Sequence, residues 1–144
     1  MAKKPLILVT NDDGYHAPGI RALTEVAQEF GRVLKIAPNK PQSGMGHAIT
    51  INSTLRIDKM PTEGDNQGYE CSGTPVDCVK MALDVLLDET PDLVISGINH
   101  GSNASINVIY SGTMSAALEG YIEGVPSIGF SLLDHSVDAD FEPA

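Results

Sequence analysis

The sequence predicts a three-layer α/β domain with a mostly parallel sheet, and three observations predict it. Leu6-Ile7-Leu8-Val9 is a short, continuous apolar run, the pattern of a strand buried on both faces. A helical pattern and a second apolar run follow at once, completing a β-α-β unit that favours a right-handed crossover and a parallel pair. Helix and strand patterns then keep alternating to about residue 130, as in chains that layer helices on a central sheet.

Each element has its own local reason. Pro18 suits a first helical position, and Ile20, Leu23, Val26, Ala27 and Phe30 form an apolar stripe at helical spacing, closed by Gly31 in the manner of a C-terminal cap. Residues 32–37 read as the second strand, ending at Pro38. A polar, glycine-containing loop spans 39–47, and the alternation in 48–52 predicts another strand. Residues 54–68 carry Pro61, Gly64 and Gly68 and read as an exposed excursion or hairpin, with 69–71 as a short strand. Thr74-Pro75-Val76-Asp77 opens a helix with an approximate capping box, and Val76, Val79, Leu83, Leu86 and Leu87 supply its buried face. Residues 91–95 form a buried strand running into Ser96-Gly97. After a polar loop at 99–107, Ser111-Gly112-Thr113 begins a helix whose apolar face is Met114, Ala117, Leu118, Tyr121 and Ile122. Gly124 ends it, and residues 125–130 give one more strand.

The 144 residues suit one domain, long enough to bury a core without disulfides. Nineteen acids against nine Lys and Arg give a net charge of -10, which argues against duplex DNA or an anionic membrane as a partner. Cys71 and Cys78 fit no zinc pattern and are too few for a disulfide framework. No secretory leader and no bilayer-length apolar stretch is legible, so the expected home is the cytoplasm.

Four polar loops fall at strand ends or helix starts, where the ligands of open α/β sheets bind. Asp12 and Asp13, ending the first strand, offer hard oxygen ligands for Mg²⁺, Mn²⁺ or Ca²⁺, although Asn-Asp-Asp-Gly is also an ordinary polar turn. Ser111-Gly112-Thr113 presents hydroxyls and unpaired first-turn N–H groups to an anion, or else is a plain helix cap. Gly44 and Gly46 would let backbone approach an anion, but the loop lacks the Walker pattern and the dinucleotide fingerprint. His47 is either a general acid or transition-state stabiliser, or a histidine that orients the glycine loop. His16, His100 and His135 have no ligand-like spacing.

Five segments, LVTNDDG (8–14), NKPQSGMGHAIT (39–50), CSGTPVDCVKMAL (71–83), PDLVISGINHGSN (91–103) and YSGTMSAALEG (110–120), occur in an order and spacing that resemble the SurE family of survival-protein nucleotidases. The resemblance implies a Rossmann-like catalytic core over residues 1–144. It implies a divalent-metal-dependent phosphomonoesterase acting on nucleoside 5′- and 3′-monophosphates, with Mg²⁺ or Mn²⁺ as cofactor. Carried over by position, its metal ligands fall on Asp12, Asp13, Ser43 and Asn99. Its phosphate-lining positions fall on Asn11, Gly44, Ser111, Gly112 and Thr113. On this reading Asp12 and Asp13 are also the catalytic pair, hydrolysis proceeding by a water activated at the metal. The resemblance further implies a homodimer or homotetramer, and a C-terminal portion of the family domain beyond residue 144.

Two rivals come from other classes. A non-catalytic nucleotide- or metal-binding domain would show no turnover of a phosphomonoester with Mn²⁺. A phosphotransferase using a first-strand aspartate would form an aspartyl-phosphate that can be trapped.

Overall fold

The computed structural model describes residues 2–144 except Ser43, Met45, Ser105, Ile106 and Val137. Six strands form one sheet in the order β3-β4-β2-β1-β5-β6, with β1 at Leu6–Thr10, β2 at Arg32–Pro38, β3 at Ile57–Met60, β4 at Gln67–Cys71, β5 at Leu93–His100 and β6 at Ser127–Leu132. Every pairing is parallel except β3 with β4. All five residues of β1 are buried, as its unbroken apolar run requires of a central strand.

The chain leaves β1 through α1 (Pro18–Phe30) and returns as β2 on one side; β5 lies on the other side. Strand order therefore reverses at β1 and β5, and the crevice at their carboxyl ends is where such a sheet holds ligands. Helix α1 covers one face, where Ile7, Val9, Ile20, Leu23, Val33 and Ile95 share a core. Helices α2 (Pro75–Met81, continued by a π-helical turn at Ala82–Leu86) and α4 (Gly112–Ile122) cover the other, where Leu8, Leu34, Ile36 and Val94 of the sheet share a core with Val79 of α2 and Ala116 of α4. Side chains alternate between these faces along β1, so a one-residue slip would exchange the two cores.

The capping box at the head of α2 is complete: the Thr74 hydroxyl accepts from Asp77 N at 3.1 Å, and the Asp77 carboxylate accepts from Thr74 N at 2.8 Å. Gly124, at φ 86°, ends α4 with its N–H on Tyr121 O. Cys71 and Cys78 are free thiols buried in the core.

Five local expectations change and one resolves. Residues 48–52 form no strand; Ile49 and Ile51 are exposed because nothing pairs with that segment, and its Thr50 is bound to Asp77 instead. The excursion resolves into the β3–β4 hairpin. Strand β5 continues through Gly97 to His100, with an irregularity in its pairing to β6 between Ser96 and Asn99. Helix α4 buries its small and polar side, including Ala116, Glu119 and Gly120, and leaves Leu118, Tyr121 and Ile122 exposed; a Cβ on Gly120 would lie 2.9 Å from a Val94 methyl, so close approach to the sheet selects the small face. Val26 and Phe30 of α1 are likewise exposed, and Gly31 closes that helix in an extended conformation rather than a left-handed one. A short helix α3 (Asn107–Tyr110) precedes α4 within the expected loop.

Candidate metal and phosphate site

The loop after β1 is built around Asn11. Its side chain donates to Gly14 O at 2.8 Å and accepts from Gly14 N at 3.2 Å, closing the turn that holds Asp12 and Asp13 between them. Asn11 is buried and both ends of its amide are used there, so it shapes the loop. Gly14 has φ 112°, a conformation that favours glycine, and the chain then turns into α1.

Asp12 is buried, and burial together with the neighbouring Asp13 charge raises its carboxyl from the ordinary 3.8 to about 6, against the pull of Thr113. The Thr113 hydroxyl donates to Asp12 Oδ1 at 3.1 Å, and the Thr113 N–H also favours the ionised form. The head of α4 thus already faces an anion, the Asp12 carboxylate. Gly112 makes this approach possible: a Cβ there would lie 2.7 Å from Asp12 Cβ and 3.2 Å from its Oδ2. Ser111 caps α4, its hydroxyl accepting from Met114 N at 3.1 Å.

Asp13 is also raised by burial, opposed by the charge and backbone N–H of His100 at the end of β5. Its Oδ2 is buried, and no hydrogen-bond partner reaches it among the described residues. A buried carboxylate beside a half-buried one with an orphaned oxygen fits a cation, which would favour both charges and satisfy that atom. Asn99 lies on the same strand end; its Nδ2 donates to His100 O and Gly101 O, both at 3.1 Å, which orients the amide with its oxygen as the remaining donor atom. No three His, Cys, Asp and Glu among the described residues gather into a ready metal cage, so any site here relies on neutral oxygens beside the two acids. Ser43, the fourth expected ligand, lies outside the described residues.

The glycine loop reaches this corner from β2. Gln42 N donates to Asp12 O at 2.7 Å, and Gly46 N to Tyr110 O at 3.3 Å. Gly44 is exposed at φ 77° with open space where a Cβ would be, so backbone there can meet a ligand. His47 does not face the two aspartates through its Nε2, which sits 2.8 Å from Glu119 Oε2. Glu119 escaped the reading of the sequence, as did the influence of His100 on Asp13 and the tie of Asp77 to Thr50: each depends on a partner far away in the chain, and only the capping position of Asp77 gave a local signal.

The family model described as "Survival protein SurE" matches residues 7–144. The chain is 66% identical over 143 residues to a protein named 5′-nucleotidase SurE from Flavobacterium johnsoniae, covering 99% of this chain and 55% of that protein. It is 50% identical over 143 residues to the protein of that name from Bacteroides thetaiotaomicron, again covering 55% of it. The crystal structure of SurE from Aquifex aeolicus superposes with a TM-score of 0.85 at 45% identity, over 96% of this chain and 54% of that one. The chain therefore spans about half the length of the curated relatives it matches.

Proposed function

The chain belongs to the SurE family, and from that premise we propose that it forms the metal- and phosphate-binding core of a nucleotidase. The substrates would be nucleoside 5′- and 3′-monophosphates, with Mg²⁺ or Mn²⁺ as the ion. The names of the relatives, 5′-nucleotidase SurE, support this reading. The observation that carries it is the buried Oδ2 of Asp13, without a partner among the described residues, beside Asp12, whose carboxyl is raised to about 6, at the switch point of the sheet.

Asp12 and Asp13 would hold the ion, with Asn99 Oδ1 and Ser43 completing the oxygen set. When bound, a divalent ion supplies polarisation of the phosphoryl oxygens and a water able to act as nucleophile at neutral pH. The residues around it do the positioning. Thr113 favours the ionised form of Asp12 and fixes its orientation; the Asn11–Gly14 bracket keeps the two carboxylates on one rigid turn. At the head of α4 the Thr113 N–H serves Asp12 and Met114 N serves the Ser111 hydroxyl, so the Gly112 N–H and the backbone around Gly44 would receive the non-reacting phosphate oxygens. No described helix is long and apolar enough to cross a membrane.

A panel of nucleoside monophosphates assayed with Mg²⁺, Mn²⁺ and a chelator tests the reading, alongside Mn²⁺ calorimetry. Metal-dependent release of phosphate is expected. Metal uptake without turnover would leave a binding module, and turnover indifferent to chelation would overturn the site.

A further inference from the structure

We propose that Glu119 is a positioning residue of this site, acting through His47 to hold the 46–50 limb of the glycine loop on α4; the inference rests on the phosphatase reading above. Glu119 is buried in the third turn of α4, 4% exposed, yet its carboxylate accepts from two separate elements. His47 Nε2 lies 2.8 Å from Oε2, and Lys80 Nζ of α2 lies 3.0 Å from Oε1. Removing a carboxylate from water is costly, and apolar residues often replace a buried ion pair without loss of stability. A stability role alone gives no reason for an acid at this position, between Ala116 and Gly120 in the small buried face.

The same helix explains what the acid secures. Its head carries Thr113 against Asp12 and Gly112 in contact with that side chain, so α4 sets where Asp12 sits. Glu119, two turns further on, fixes the loop to this helix. Four other ties flank the His47 bond: Gln42 N to Asp12 O, Gly46 N to Tyr110 O, Thr74 Oγ1 to Ala48 O, and Thr50 to Asp77 through both its N–H and its hydroxyl. Among the described residues beyond Gln42, only the His47 bond joins the loop to α4 by side chains on both sides. Loop and aspartates are thereby referred to one rigid element, the arrangement that presents backbone N–H groups at fixed distances from a metal-held phosphate.

The test is calorimetric titration of the Mn²⁺-loaded full chain with inorganic phosphate, for wild type, His47→Ala, Glu119→Ala and the double variant. Each single change should weaken phosphate about tenfold, the scale of losses when a supporting partner behind a ligand is removed. The double variant should lose no more than the larger single effect, because both residues act through one bond. Mn²⁺ affinity of the aspartates should change less than phosphate affinity. His47→Ala alters a partly exposed loop side chain, and Glu119→Gln, which keeps an acceptor for Lys80, replaces Glu119→Ala if that variant does not fold. Unchanged phosphate affinity in His47→Ala, or losses that add in the double variant, would overturn the inference alone. Wild type that takes up neither Mn²⁺ nor phosphate would overturn the phosphatase reading and this inference with it.

Discussion

Thr113 and Asp12, 101 residues apart in sequence, meet across 3.1 Å, the threonine hydroxyl donating to a buried carboxylate that also feels its backbone N–H. The contact couples helix capping to the electrostatics of the site. Thr113→Val keeps the shape and removes the donor, leaving Asp12 Oδ1 underbonded. The expected cost is about 1–3 kcal/mol in stability. The Asp12 carboxyl should also move further up, so that Mn²⁺ uptake needs a higher pH than in wild type. Thermal melts and a pH series of Mn²⁺ titrations check both; uptake at the wild-type pH would show that the hydroxyl does not tune the carboxylate.

Asp13→Asn separates charge from shape at the orphaned oxygen. Because the Asp13 charge helps to raise Asp12, the variant should lower the Asp12 carboxyl and make the metal-free chain more stable at neutral pH. It should also bind Mn²⁺ at least about tenfold more weakly, having lost one of two anionic ligands. Gain of stability with loss of affinity is the expected pair of outcomes. A variant with wild-type affinity would remove Asp13 from the ligand set.

Asp12 also fixes a pH dependence of fold stability. Its folded-state carboxyl titrates at about 6, above the ordinary 3.8, so between these values the folded state holds more proton than the unfolded one. Stability of the metal-free chain should therefore fall as pH rises through this window. The effect is on the order of 3 kcal/mol by pH 7, most of it recovered near pH 4 unless other acids intervene. Saturating Mn²⁺ should reverse the trend, since an ion that binds the ionised pair stabilises the folded state more as pH rises. Denaturant melts across pH 4–7, with and without Mn²⁺, decide it.

Asp77 does more than cap. Its carboxylate takes Thr74 N at 2.8 Å, Thr50 N at 2.9 Å and Thr50 Oγ1 at 2.6 Å. Asp77→Ala should cost about 2 kcal/mol, beyond the usual loss of roughly 1 kcal/mol for a cap. Amide exchange should quicken at Thr50 as well as at Thr74. Exchange faster only within α2 would show that the loop tie contributes nothing.

What was legible in the sequence is what local chemistry decides. The run at 6–9, the paired acids after β1 and the Thr74–Asp77 cap each announce themselves within a few residues, and the structure has β1 over the run and α2 behind the cap. Periodicity misled where burial depends on a distant surface. The larger apolar residues of α4 pointed to one face, but close packing on Val94 selects the side with Gly120. Alternation at 48–52 suggested a strand, yet a strand needs a neighbour and none is offered there. In the site, the two aspartates were readable because they are adjacent. The Glu119–His47 bond joins residues 72 apart and leaves no trace in any spacing.

The face that carries α1 keeps large apolar side chains exposed. Helix α1 covers β1 and β2 there, while Ile98, Ile128 and Phe130 of β5 and β6 border a groove of about 430 Å³ whose other wall is Leu23, Val26, Ala27 and Phe30. Phe141 sits in it, 7% exposed and packed edge-on against His100 at 4.8 Å between ring centroids. Phe30 remains 69% exposed and Val26 53%, so the tail covers only part of the apolar surface. Contiguous apolar surface of this kind drives association. The 144-residue chain should bind a hydrophobic dye and self-associate at micromolar concentration, and Phe30→Lys with Val26→Ser should suppress both without lowering the melting temperature, because neither side chain is buried. Phe141→Ala should act in the opposite sense, opening the groove and increasing association. Sedimentation of the three chains checks this. A monodisperse wild-type monomer that excludes the dye would show that Phe141 and its neighbours are cover enough.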